Sequence, residues 1–281
     1  MKKWGIEHLL PVLEPVDLKS FEFFERLKEK ESDLIFSAAY GSYIPTEILH
    51  LPKFGSINLH PSLLPLYRGA APVQRALMSG ARESGITLAY MTEKWDQGEI
   101  LAQKSFPVLE EDDSGTLLEK LAEAGVFLLD QTLPKLFRKE IVPVPQDDSK
   151  ATYAPALKKE ETWIQWGKPA EKIHNQIRGL SPDPGARTLF QGKQIKILKA
   201  GVLEEKGLTE FGVRLALLPQ MQPGTIIGIE PEGPVVVCGK DLLLILKIQP
   251  ESRGILSGRD FLNGYRVQIL QQFEMEKGFF E

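Results

Sequence analysis

Between Val142 and Pro155 the chain changes rhythm, and no other feature constrains its fold as tightly. Ahead of that stretch, helix-like and strand-like segments alternate. Behind it come short apolar runs set apart by Gly and Pro. Alternation with near-continuous apolar strands is what an α/β sheet covered on both faces requires. Regularly spaced short strands point instead to a small barrel or sandwich. The stretch itself is rich in Pro, Asp and Ser and reads as a linker. The expected division is therefore 1–141, 142–155 and 156–281. With 281 residues in all, each half is long enough to bury its own core.

The first part is expected to be an open, mostly parallel, Rossmann-like sheet. Its predicted strands cover 8–14, 33–40, 55–60, 86–91 and 100–108. Its predicted helices cover 18–31, where Phe21, Phe24 and Leu27 recur at helical spacing, then 46–51, 70–79 and 114–137. Ser114 is the expected N-cap of the last. The third part is expected to be an OB-like β-barrel. Its predicted strands cover 194–200, 212–217, 224–229, 233–238 and 242–248, with helices near 170–178 and over 261–271. The chain opens on what reads as the tail of a helix, with one weak strand before the strong one at Asp33. Open α/β sheets begin on a strand whose turn helps build the ligand crevice, so the front of the first domain is expected to be missing.

Charge and cysteine narrow the function. The formal net charge is −4, so any RNA contact must be a local patch rather than a general basic field. Lys193, Lys196 and Lys199, with Arg253, Arg259 and Arg266, are the candidates, set against the ordinary reading of solvated charges. Cys238 is the single cysteine, which excludes an intramolecular disulfide and a thiolate metal site. It reads as a buried strand thiol in a cytoplasmic protein. No apolar run approaches membrane-spanning length, and no signal-peptide pattern follows the first basic residues.

Chemistry concentrates in Gly55-Ser56-Ile57-Asn58-Leu59-His60-Pro61. On a strand, Asn58 and His60 share a face. Pro61 cannot continue a central strand, so the pair lies at its carboxyl end, where open α/β sheets bind ligands. An amide can donate to an oxyanion, and an imidazole can move a proton. Asp96, in a turn with Gly98, is the candidate acid to orient the imidazole, and is expected to emerge at the same sheet edge. These residues alone reach a transferase or hydrolase site, against the bland reading of a structural Asn-x-His.

Asn58-x-His60-x-Ser62-Leu63-Leu64-Pro65, followed by Tyr67-Arg68-Gly69-Ala70-Ala71-Pro72-Val73-Gln74-Arg75-Ala76, resembles the signature of folate-dependent formyltransferases. Asp96-Gln97-Gly98 stands where that family carries a catalytic aspartate. Arg68 to Pro72, Ala151-Thr152-Tyr153-Ala154-Pro155, Pro223-Gly224-Thr225-Ile226 and Phe261-Leu262-Asn263-Gly264 are similar to the methionyl-tRNA formyltransferase form. The resemblance implies formyl transfer from 10-formyltetrahydrofolate, as co-substrate, to the amino group of methionyl initiator tRNA. Asn58, His60 and Asp96 would be catalytic, and Ser62, Leu63, Leu64 and Pro65 would contact folate. It implies no metal. The short apolar runs argue for no membrane partner, and the oligomeric state is open, with a monomer favoured. Pro61, Trp95 and Asp183 depart from the family pattern. Two alternatives stand beside this reading: a formyltransferase for a nucleotide or amino-sugar amine, and an inactive remnant.

Overall fold

The computed structural model describes residues 2–203 and 221–275. Its first half runs α1 (Lys2–Glu7), α2 (Phe21–Lys28), β1 (Ile35–Ala38), α3 (Thr46–Leu49), β2 (Ser56–His60), α4 (Pro72–Ser79), β3 (Glu83–Tyr90), β4 (Ile100–Pro107) and α5 (Ser114–Phe137). The second half runs α6 (Ala170–Leu180), β5 (Ala186–Phe190), β6 (Lys193–Leu203), β7 (Ile226–Ile229), β8 (Pro234–Val237), β9 (Leu242–Pro250), β10 (Leu256–Ser257), α7 (Gly258–Tyr265) and β11 (Phe273–Glu274). The strand expected over 212–217 lies outside the described residues.

Strands β1 to β4 form one sheet in sequence order. It is mixed rather than mostly parallel: β1 and β2 are parallel, while β2–β3 and β3–β4 are antiparallel. The expectation failed on β3, whose residues are buried on both faces in the manner of a parallel strand. That burial comes from the layers packed over it and says nothing of strand direction. Leu117, Leu121 and Leu128 of α5 cluster with Ile57, Ile86 and Leu88 of β2 and β3, and Val73 and Leu77 of α4 join them. Each such side chain, fully buried, contributes about 1.5–3 kcal/mol.

Local signals account for the element ends. Helix α5 is capped by Asp113, not Ser114. The Asp113 carboxylate accepts from the Thr116 N–H at 2.9 Å, and the Thr116 hydroxyl accepts from the Asp113 N–H at 3.0 Å. Ser114 instead donates to the Ser181 carbonyl at 2.6 Å, tying α5 to the end of α6. Helix α7 starts ahead of the expected 261–271, on a Ser257 cap, and stops at a left-handed Arg266. No strand forms over 8–14, where Pro11 withholds an N–H donor and Pro15 follows directly.

The second sheet is antiparallel throughout, in the order β11-β5-β6-β9-β8-β7, with β10 on β9. Register shifts near Ile197 and Lys199 curl its longest pair, as bulges do. Its core holds Trp166, Phe190, Phe261 and Phe273, with the Phe190 and Phe261 rings 5.2 Å apart, beside Ile173 and Ile177 of α6. Arg75 of α4 joins the halves. Its guanidinium binds the Glu161 carboxylate and the Pro155 and Ala156 carbonyls.

The 142–155 stretch is not a loose tether. Val144 and Ile100 exchange backbone hydrogen bonds of 2.8 and 2.9 Å, and the Ala154 N–H donates to the Arg68 carbonyl at 2.7 Å. The segment thus straps β4 to the loop that follows β2.

Candidate active site

Strand β2 ends at His60, and Asn58 and His60 both line a cavity of about 440 Å³. The Asn58 amide makes no hydrogen bond to another described residue, leaving its donors to the cavity. His60 is buried, 4% exposed. Its Nε2 lies 3.0 Å from the Tyr67 carbonyl and its Nδ1 lies 3.5 Å from Asp96 Oδ1. Both neighbours are acceptors. They face the two ring nitrogens from opposite sides of the imidazole.

Asp96 reaches this point by an unexpected route. The register places Tyr90 beside Ile57 and Thr87 beside His60, so β3 ends at the opposite end of β2 from the histidine. The turn after β3 folds back to bring the carboxylate to the imidazole. The expectation of a shared edge was wrong, because it assumed parallel strands. Asp96 itself has φ +55°, and the next turn residue but one, Gly98, packs against the Tyr90 carbonyl, where a Cβ would lie 1.8 Å from the oxygen. Only glycine fits there.

The second Asp96 oxygen, Oδ2, accepts from the Gly69 N–H at 2.9 Å. Gly69 has φ +127°, and a Cβ there would lie 2.6 Å from the Ala154 carbonyl oxygen. The acid therefore grips two elements at once, the end of β2 and the loop beyond it.

Of the residues expected to meet folate, Leu64 lines the cavity; Ser62, Leu63 and Pro65 are not on its wall. Ser62 is buried and donates to the Leu66 carbonyl at 2.6 Å, and Leu63 packs toward Gly85 of β3. The loop is held from below by Thr87, which donates to the Ser62 carbonyl and accepts from the Leu64 N–H and from Gln103.

The wall also contains residues not singled out from the sequence, among them Tyr40, Tyr43 and Tyr90, and Trp95, noted there only as a departure from the family pattern. Burial, and then the nearby Glu99 carboxylate, push the Tyr90 phenol above its ordinary value, so it remains a protonated donor. Among the described residues no group of three or more His, Cys, Asp or Glu side chains is placed to hold a metal ion. No helix among them is long and apolar enough to cross a membrane.

Comparison with known proteins meets this geometry from outside. Residues 6–133 match the family profile described as Formyl transferase, and residues 156–266 that described as Formyl transferase, C-terminal domain. A methionyl-tRNA formyltransferase from Dictyoglomus thermophilum is 41% identical over 275 residues, covering 98% of this chain and 85% of that one. The chain belongs to the methionyl-tRNA formyltransferase family. The methionyl-tRNA formyltransferase of Bacillus subtilis is 37% identical over 269 residues, covering 95% of this chain and 81% of that one. A crystal structure of HypX from Aquifex aeolicus in complex with tetrahydrofolic acid shares the fold, with a TM-score of 0.65 at 19% identity, covering 88% of this chain and 41% of that one.

In this member of the methionyl-tRNA formyltransferase family, two groups near the site escaped sequence reasoning. Tyr40 and Tyr43 follow β1, and the rule that places ligands beyond the carboxyl ends of parallel strands would have found them. Gln146 carried no signal, since a lone Gln in a Pro- and Asp-rich stretch looks like solvent-facing linker.

Proposed function

We propose that this protein transfers the formyl group of 10-formyltetrahydrofolate to the free amino group of methionine carried on initiator tRNA. The observation that carries the reading is the meeting of Asn58, His60 and Asp96 at one cavity, in a chain of this family. As the amine attacks, a new bond forms between its nitrogen and the formyl carbon, and the formyl oxygen gains negative charge. The unpartnered Asn58 amide donates to that oxygen. His60, between the Tyr67 carbonyl and Asp96, adds positive charge beside it. Such preorganised donors act where charge develops and cost no reorganisation. Asp96, directly or through water, takes the proton the amine loses. The folate nitrogen gains a proton as its bond to the formyl carbon breaks.

The cavity suits a formyl donor: Asn58 offers free donors and Leu64 with Tyr40 and Tyr43 offers apolar and aromatic wall. The same reading takes the first sheet as Rossmann-like and the second as OB-like, in domains of 1–141 and 156–281 joined by 142–155. It takes the protein as a monomer working in the cytoplasm.

The test is direct. Incubated with 10-formyltetrahydrofolate and charged initiator tRNA, the wild-type chain is expected to yield formyl-methionyl-tRNA, and His60→Ala to yield none above background. Full activity in His60→Ala would remove the histidine from the mechanism. Formylation of a small nucleotide or sugar amine, with charged tRNA left untouched, would reassign the substrate.

A further inference from the structure

We infer that Gln146 is a positioning residue for Asp96, clamping the turn of the acid from the strap that crosses the edge of the site. The inference rests on the reading of Asp96 as a catalytic group. Asp96 sits in the left-handed region, which L side chains rarely adopt unless their surroundings hold them there. The hold is visible. Gln146 Nε2 donates to the Asp96 carbonyl at 2.8 Å and to the Gly98 carbonyl at 2.7 Å. Both protons of one amide nitrogen are spent on this turn.

The other end of the same amide is also fully used. Gln146 Oε1 accepts from Arg68 Nε at 3.0 Å and from Arg68 Nη2 at 2.8 Å. Arg68 is buried, and its Nη2 also donates to Asp148 at 2.7 Å. Arg68 immediately precedes Gly69, whose N–H is held by Asp96 Oδ2. The bonds therefore close a ring: Asp96 carboxylate to Gly69, along the chain to Arg68, across to Gln146, and back to the Asp96 backbone. Turning the carboxylate away from His60 by moving this backbone means breaking several of them together.

Strand geometry explains why a residue of the strap can do this. Val144 pairs with Ile100 at the start of β4, and side chains recur on one face every second residue. That pairing brings the strap alongside the turn that precedes β4, and Gln146, two residues on, meets the Asp96 and Gly98 carbonyls. It is half-buried, while Pro145, Asp147 and Asp148 beside it are exposed. A reaction that needs a carboxylate within reach of an amine loses on the order of a hundredfold from a displacement of about 1 Å.

A bland role competes with this one: Gln146 could serve only as a partner that lets the Arg68 charge be buried. Gln146→Glu separates the two. It keeps acceptors for Arg68 and has no N–H for the two carbonyls. Gln146→Met, of similar shape, removes both functions and serves as the second variant. For each, steady-state formyl transfer to charged initiator tRNA gives kcat and KM, and NMR of the substrate-free protein follows the His60 ring among the four histidines. The clamp predicts that kcat in both variants falls on the order of 10- to 100-fold, with KM for each substrate within about twofold. It also predicts that the His60 ring resonance moves while those of His8, His50 and His174 stay. A Gln146→Glu protein with kcat within about twofold of wild type, or with an undisplaced His60 resonance, overturns the clamp. If the wild-type chain forms no formyl-methionyl-tRNA, the functional reading fails, and the His60 resonance alone decides the clamp.

Discussion

Thr87 and Thr188 are both fully buried hydroxyls inside sheets, yet they hold different things together. Thr87 of β3 donates to the Ser62 carbonyl at 2.6 Å and accepts from the Leu64 N–H at 3.1 Å, so its bonds support the loop beside the cavity. Thr188 of β5 donates to the Glu274 carbonyl at 2.8 Å and accepts from Trp166 Nε1 at 3.1 Å, so its bonds close the second sheet on itself. Around Thr87, the buried polar groups His60, Ser62 and Arg68 gather at the end of β2 and the loop beyond it. Thr188 finishes the edge of an aromatic core.

The contrast breaks most easily in the second core. Phe261→Ala is expected to cost about 3–5 kcal/mol of stability, since the ring is fully buried against Phe190 and Phe273. Urea unfolding measures the loss. The transfer rate per folded molecule should stay at the wild-type value well below the melting temperature. A rate that fell in step with stability would mean that the two halves are not separable in this way.

The converse change comes next in size. Asn58→Ala is expected to slow transfer by about 10²–10³-fold, or roughly 2.7–4 kcal/mol, while the melting temperature moves by only about 2 °C. The reason is that its amide makes no hydrogen bond to another described residue. Single-turnover rates and thermal unfolding of one preparation check both halves of the statement.

The two threonines sharpen the comparison further. Thr87→Val and Thr188→Val should each destabilise by about 1–3 kcal/mol, the cost of leaving buried partners unpaired. Only Thr87→Val should also slow transfer, on the order of tenfold, because its partners include the loop over the site. Equal rates in the two variants would erase the distinction.

The smallest effect lies where the halves join. Hydrogen bonding to Arg75, opposed by burial, holds the Glu161 carboxyl at about 2, below its usual 4.5. A lowered folded value gives stability that is fully present above the ordinary range and lost as the pH falls toward 2. The melting temperature of wild type should exceed that of Glu161→Gln by about 2–4 °C above pH 5. The gap should close as the pH approaches 2.

How much was legible in the sequence differs between these regions, and for physical reasons. Asn58 and His60 were readable as a pair because strand alternation and Pro61 are local signals. Helix α5 was readable from its apolar spacing, while its cap was missed by one residue because Asp113 and Ser114 are both good cap formers. Strand direction was not readable. The both-face burial of β3 imitates a parallel strand, and the approach of Asp96 depends on that direction. Gln146 was invisible because its partners lie about fifty and eighty residues away in sequence. The strap carried the composition of a linker, and composition does not record what a backbone is bonded to.

The claim on which the account turns is that the Asp96 carboxylate, facing His60, takes part in transfer rather than merely closing the turn. Asp96→Asn isolates it, since Asn tolerates the left-handed backbone and can still accept from the Gly69 N–H. Measured as single-turnover formylation of charged initiator tRNA, its rate should fall at least about 100-fold, with melting temperature and folate affinity near wild type. A wild-type rate in that variant would contradict the account.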